Sequence, residues 1–179
     1  MAGTGDVQIV NFTVGDVNYG VPVGQVREVR NMQKVTHVPG APNYVEGVTN
    51  LRGQIITVMD LKKRLNLPQS EGGGEKIVVV ELDKVAVGIV VDTVTEVSTI
   101  KSQDIERHME IATKLDHYML GVGKQGEKLI VILDLAKIIR DVEDQLIEEK
   151  AKHAEKAETT GSVNAEVAPM ELKMVANAE

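Results

Sequence analysis

The sequence predicts an all-β protein: two small β-barrel subdomains from an internal duplication, with short helices between strands and one helix towards the C-terminal end. Three observations predict it. Of 28 valines in the chain, 25 precede residue 143, and β-branched side chains favour the pleated, half-buried surface of a sheet. Apolar residues alternate, with Val17, Tyr19, Val21 and Val23 on one face of an extended segment and Val85, Val87, Ile89 and Val91 on one face of another. The third observation is the repeat itself. Ile9–Val29 laid on Ile77–Val97 without a gap gives eight identities: Ile9/Ile77, Val10/Val78, Val17/Val85, Gly20/Gly88, Val23/Val91, Val26/Val94, Glu28/Glu96 and Val29/Val97. A second block follows in the same order, pairing Tyr44, Gly47, Val48, Asp60, Leu61 and Lys63 with Tyr118, Gly121, Val122, Asp134, Leu135 and Lys137.

Each copy has its own local signals. Val14-Gly15-Asp16 and Leu82-Asp83-Lys84 separate paired apolar runs and read as hairpin turns. A unit of about sixty residues buries too little apolar surface to be stable alone, so the two copies are expected to pack together. Short strands with sharp turns suggest that each curls into a barrel, because closure removes exposed edges. The first subdomain is placed at 1–69, a Gly-rich linker at 70–75, the second subdomain at 76–142, and a C-terminal helix with an acidic, disordered tail at 143–179. Ile138, Val142 and Leu146 carry helical spacing, and the helix is expected from Asp134 to about Ala157. Within the tail, Met170-Glu-Leu-Lys-Met-Val175 is read as disordered, with a short docking motif as the alternative.

Composition narrows the function. There are no cysteines and 2% aromatic residues, which removes thiolate chemistry and most platforms for stacking bases. The net charge is −7, of which −5 falls on residues 143–179 and −2 on residues 1–142. A body so near neutrality offers no field for a polyanion, so no nucleic-acid partner is expected. No run of eighteen apolar residues and no secretory signal occurs, so direct membrane insertion is not expected and the chain is placed in the cytoplasm.

Asp60 and Asp134, one per copy, could in principle share a proton, but each stands after an apolar strand and before a short helical run, the position of a helix N-cap. Neither lies in the Asp-Thr-Gly or Asp-Ser-Gly context that such a protease needs. His37, His108, His117 and His153 follow no metal-ligand spacing, and Gly72-Gly73-Gly74 lacks the Lys-Ser or Lys-Thr of a phosphate loop. No catalytic residue, metal or cofactor is assigned. What distinguishes the copies is Asn50-Leu51-Arg52-Gly53, whose counterpart Lys124-Gln125-Gly126-Glu127 keeps a turn glycine but no arginine beside it. Arg52 can anchor a partner through its planar fork of donors, or it is an ordinary solvated arginine. The stiff loop Val38-Pro39-Gly40-Ala41-Pro42 also belongs to the first copy alone.

These residues carry a resemblance. Phe12, Tyr19-Gly-Val-Pro22, Val26-Arg-Glu28-Val29, His37-Val-Pro-Gly-Ala-Pro42, Gly47-Val-Thr-Asn-Leu-Arg-Gly53 and Val58-Met-Asp60-Leu, followed by Gly88-Ile-Val-Val-Asp92-Thr-Val94-Thr-Glu96-Val97 and Ile130-Val-Ile-Leu-Asp134, resemble the CheW family of chemotaxis coupling proteins over about residues 6–140. The resemblance implies two five-stranded, SH3-like barrels about a shared core. It also implies a non-enzymatic scaffold that couples the cytoplasmic tip of methyl-accepting chemoreceptors to the regulatory domain of the histidine kinase CheA in membrane-associated arrays. By motif, Arg52 and Gly53 match the family's Leu-Arg-Gly turn, and Glu28 matches its acidic strand residue. Val26 and Gly47 match positions sensitive for partner binding, with core packing and turn conformation as their alternative readings. A receptor groove between the barrels would be walled by Val26 and Val29 with Val91 and Val94. The alternatives are a small-barrel nucleic-acid-binding module and a receptor-coupling domain of another chemosensory pathway.

Overall fold

Among the described residues, eleven strands and two α-helices follow the duplication closely. The computed structural model describes residues 5–68, 73–107 and 114–160. In the first repeat, β1 (Val7–Val14) and β2 (Val17–Pro22) form a hairpin closed by Gly15 at φ 61°. β3 (Val26–Asn31), β4 (Val45–Leu51), β5 (Gln54–Asp60) and the short helix α1 (Leu61–Arg64) complete it. In the second, β6 (Lys76–Leu82) and β7 (Val85–Val91) form the equivalent hairpin, closed by Asp83 and Lys84 at φ 49° and 70°. β8 (Thr93–Ile100), the two-residue β9 (Ile105–Glu106), β10 (Met119–Gln125), β11 (Lys128–Leu133) and helix α2 (Leu135–Thr160) follow.

The strands do not sort by repeat. One sheet has the order β8-β1-β2-β11-β10-β9 and the other β3-β6-β7-β5-β4. Each sheet therefore takes its hairpin from one repeat and its flanking strands from the other. A division into one barrel per sequence half, 1–69 and 76–142, is corrected accordingly, and residue 142 lies inside α2 rather than at a boundary. The physical reason is that a repeat fixes which positions are equivalent, and the same ladder forms whichever copy supplies the partner strand. The registers agree at every junction. Val10 faces Val97 as Val78 faces Val29, and Tyr19 lies beside Val131 as Val87 lies beside Thr57. A bulge falls between Val26 and Glu28 opposite Val80 and Val79, and its equivalent lies where Val94 and Glu96 face Phe12 and Asn11.

Exchange of the hairpins decides where the apolar side chains go. Val10, Phe12, Val14, Tyr19 and Val21 from one sheet meet Met59, Val78, Val80, Ile89 and Val91 from the other in a central core between the sheets. Two smaller clusters fill the sheets' far sides: Ile9, Ile100, Ile130 and Ile132 in one, and Leu51, Ile56, Ile77, Val79 and Ala86 in the other. Leu135, Ile138, Ile139 and Val142 of α2, spaced along one helical face, also join the central core.

Both aspartates are caps. Asp60 Oδ1 accepts from Lys62 N at 2.8 Å and Lys63 N at 3.3 Å, and Asp134 Oδ1 accepts from Lys137 N at 3.2 Å. The helix predicted from Asp134 to about Ala157 spans Leu135–Thr160, while the tail and its Met170–Val175 motif lie outside the described residues. The equivalent tyrosines of the two repeats, Tyr44 and Tyr118, flank one guanidinium, that of Arg64, whose carbon lies 5.1 and 5.6 Å from their ring centres. Tyr44 also donates to Gln145 Oε1 at 3.1 Å, which ties α2 to the first repeat.

An ion pair closed off from most solvent stands just past the ends of the neighbouring parallel strands β5 and β7. Asp92 stands where the chain leaves β7 for β8, and its carboxylate contacts Lys62 Nζ at 2.9 Å. It also accepts from Gly15 N at 2.7 Å and Gly74 N at 2.9 Å. The N–H of Asp92 donates to Thr13 O at 3.0 Å, so β1, the β1–β2 turn, α1 and the approach to β6 are joined at one residue.

Candidate partner-binding site

The hairpin between β4 and β5 presents the arginine that distinguishes the first repeat. Leu51 pairs with Gln54, leaving Arg52 and Gly53 as a two-residue turn with φ of 53° and 82°. Left-handed backbone at both central positions matches the right-handed twist of the flanking strands. Asn50 Oδ1 secures the turn by accepting from Gly53 N at 2.9 Å. Gly53 has open space around its α-carbon, so its glycine serves the backbone angle alone.

From this turn Arg52 reaches edge strand β3. Its Nη2 lies 3.2 Å from Glu28 Oε2, and Arg30 Nε lies 3.1 Å from the same oxygen. Glu28 Oε1 is buried and has no hydrogen-bond partner. The side chains of Glu28, Arg30 and Arg52 are 17%, 34% and 68% exposed. Beside them, Arg27 Nη1 contacts Glu81 at 3.2 Å and Gln54 Oε1 at 3.3 Å. An ion pair so open to water contributes roughly 0 to 1 kcal/mol, which makes stability a poor account of it. The second repeat keeps the acid as Glu96 but has Ser98 and Gly126 where the first has Arg30 and Arg52.

The structure therefore joins Glu28 and Arg52 and adds Arg30. The signal for Arg30 was available: Glu28 and Arg30 are two apart on one strand and so share a face. The valines divide differently. Val29 is 40% exposed on the edge strand, whereas Val91 is 1% exposed in the central core and cannot line an open groove. That corrects its place in the predicted wall. In β7, β-branched residues fill both faces because one side meets the central core and the other the barrel interior, so alternation could not mark which faced solvent. Val26 and Val94 occupy equivalent half-buried positions against the central core.

Gly47 supports the site from behind. It sits at a bulge in β4, at φ 146°, where Thr36 and Val48 exchange backbone hydrogen bonds of 2.8 and 2.9 Å. A Cβ there would collide with the carbonyl oxygen of Thr36 and stand 2.7 Å from its carbonyl carbon. Among the described residues, no group of three His, Cys, Asp or Glu side chains is arranged to hold a metal, and no helix is long and apolar enough to cross a membrane.

The Arg52→Gly variant separates the side chain from the fold. It relieves left-handed backbone at a position where the second repeat already carries glycine, and it deletes an ion pair of little net value. Its urea-unfolding free energy should match wild type to within about 1 kcal/mol. A loss above about 2 kcal/mol would make the bridge a structural element.

The comparisons with known proteins agree with one another. A family model described as CheW-like domain matches residues 8–143. The chain is 34% identical over 144 residues to the chemotaxis protein CheW of Klebsiella aerogenes, covering 79% of this chain and 86% of that protein. It is 37% identical over 138 residues to the CheW of Bacillus subtilis, covering 76% and 88%. The crystal structure of the scaffolding protein TtCheW from Thermoanaerobacter tengcongensis superposes with a TM-score of 0.67 at 33% identity, covering 73% of this chain and 90% of that one. With its doubled sheet architecture and its Leu-Arg-Gly hairpin set against the acid of an edge strand, this chain belongs to the CheW family.

Proposed function

We propose that this chain is a non-catalytic chemotaxis scaffold that holds the cytoplasmic tip of a methyl-accepting receptor and the regulatory domain of the histidine kinase CheA in one assembly, at membrane-associated arrays. The observation that carries the reading is the asymmetry of the duplicated body. Its most clearly unmatched side chains, Arg30 and Arg52, gather around Glu28 on an exposed edge strand, where a partner can reach them. Relatives named as chemotaxis and scaffolding proteins support the same reading. A catalytic role gains nothing from Asp60 and Asp134, since both cap helices. In this reading Glu28, Val29, Arg52 and Gly53 face the partner, Val26 and Val94 lie at the margin of the contact, and Gly47 keeps the hairpin in place. The body through Val142 serves as one unit, from which the rest of α2 extends.

The test is a three-way pull-down with the full chain, the regulatory region of the cognate kinase and a receptor signalling fragment. Kinase and receptor should be recovered together only when this protein is present. Recovery of neither partner with the wild-type chain overturns the scaffold reading.

A further inference from the structure

β3 and β8 are equivalent edge strands, and charge guards only one of them. β3 carries Arg27, Glu28 and Arg30, whereas the matching positions of β8 are Thr95, Glu96 and Ser98. Charged side chains on an edge, cations above all, keep a further strand from adding to it. From Thr93 to Ile100, β8 holds no cation and no proline. Among the described residues it is hydrogen-bonded to one strand alone, β1, which leaves its other side an edge of the six-stranded sheet. Ile100, at its end, packs against Gly123 of β10. Ahead of that contact Thr95, Glu96 and Val97 are exposed in succession, so neither face of the strand is covered there. Val97 is 58% exposed, the most open of the large apolar side chains on any strand but for Leu129.

The edge is also complementary to itself. Laid antiparallel on a second β8 about Val97, it sets valine against valine, Thr95 against Thr99 and Glu96 against Ser98, with no like charges directly opposed. Centring the pair on Glu96 would oppose two carboxylates, so the valine register is the favoured one. We propose that β8 is a self-association edge, on which a second copy of this chain pairs its own β8 antiparallel about Val97. The two-fold axis then passes through that residue, and the six-stranded sheet of one copy continues into that of the other. Strands of this length cover well under the roughly 1,200 Å² of a stable complex, so the pair is reversible and forms at high local concentration. It gives the chain a self-facing edge on one sheet, separate from the partner-facing edge β3 on the other.

Sedimentation of the full chain at rising concentration, together with oxidative crosslinking, tests the pairing. The wild-type chain should pass from monomer to dimer below about 1 mM. Val97→Lys, which opposes two cations at the axis, should raise the dissociation constant about tenfold or more. The chain has no cysteine, so single substitutions report the register cleanly. Val97→Cys faces its own copy across the axis at a separation a disulfide can bridge. Thr93→Cys is equally on the exposed edge, but the proposed register holds its two copies about 27 Å apart. Under mild oxidation Val97→Cys should therefore crosslink about tenfold faster than Thr93→Cys. Equal rates would mark random collision and overturn the inference. A wild-type chain that stays monomeric up to about 1 mM overturns it too, as does a dimer that Val97→Lys leaves unchanged. Urea-unfolding midpoints of each variant confirm that folded protein is being compared.

Discussion

Lys62→Met should destabilise the protein by about 3 kcal/mol, the largest effect expected from any single side chain outside the apolar cores. The substitution keeps the volume of the stem and removes the charge, leaving the Asp92 carboxylate enclosed with only the N–H groups of Gly15 and Gly74. Losing one partner of a buried pair costs more than the pair is worth, because the remaining ion is desolvated without compensation. The pH dependence has a definite sign. Burial pushes the Asp92 pKa up, but the hydrogen bonds from Lys62, Gly15 and Gly74 outweigh it and hold the pKa below 3.8, its ordinary value. A carboxyl lowered in the folded state contributes its stability in full above the unfolded pKa of about 4 and loses it as pH falls through the lowered value. The gap in urea midpoint between wild type and Asp92→Asn should therefore be constant from pH 7 to about 5 and close below about pH 4. A gap that persists unchanged at pH 2 would show that the charge on Asp92 is irrelevant.

None of this pair was legible in the sequence. In the sequence Lys62 stands beside Lys63 and Arg64, and Asp92 follows the valine-rich segment Val85–Val91. What brings them together is the parallel pairing of β5 with β7, which sets Asp60 beside Val90 and so Lys62 near Asp92, a long-range partnership that no periodicity records. The strands, hairpin turns and both N-caps were legible because each rests on signals within a few residues: alternation, a turn residue, an Asp before a helical run. The duplication was legible too, and its registers hold to the residue. The exchange of hairpins was not, since equivalent strands carry equivalent patterns. In the site, Arg52 stood out by its absence from the second copy. Val91 was misplaced because a strand apolar on both faces gives no sign of which face is covered.

Gly47→Ala should cost about 3 kcal/mol or more, from two sources that act together. The methyl group would collide with the Thr36 carbonyl oxygen, and the backbone at φ 146° disfavours any Cβ. Neither can be relieved by turning a side chain, because the obstacle is backbone. Relief requires breaking the Thr36–Val48 bridge, which fastens the edge of the sheet. Because β4 leads into the Arg52 hairpin, receptor or kinase binding should fall together with stability. Gly53→Ala, with open space at its Cβ, should cost only about 1 kcal/mol. Thermal or urea unfolding of the two variants side by side checks this, and equal losses would mean that φ alone, without the collision, sets the cost at Gly47.

The exchanged hairpins also impose an order on synthesis. As the chain emerges from the ribosome, β1 and β2 appear first, yet the strands that flank them, β8 and β11, end at Ile100 and Leu133. The other sheet is complete once Val91 is out. The earliest hairpin must therefore wait, with Val10, Phe12 and Tyr19 uncovered, while the sheet begun later closes before it. Such sequence-distant pairing slows folding and leaves an adhesive edge exposed in the interval. The core faces of that hairpin find cover once the second sheet is made, but its backbone edges stay unpaired until β8 and then β11 are synthesised.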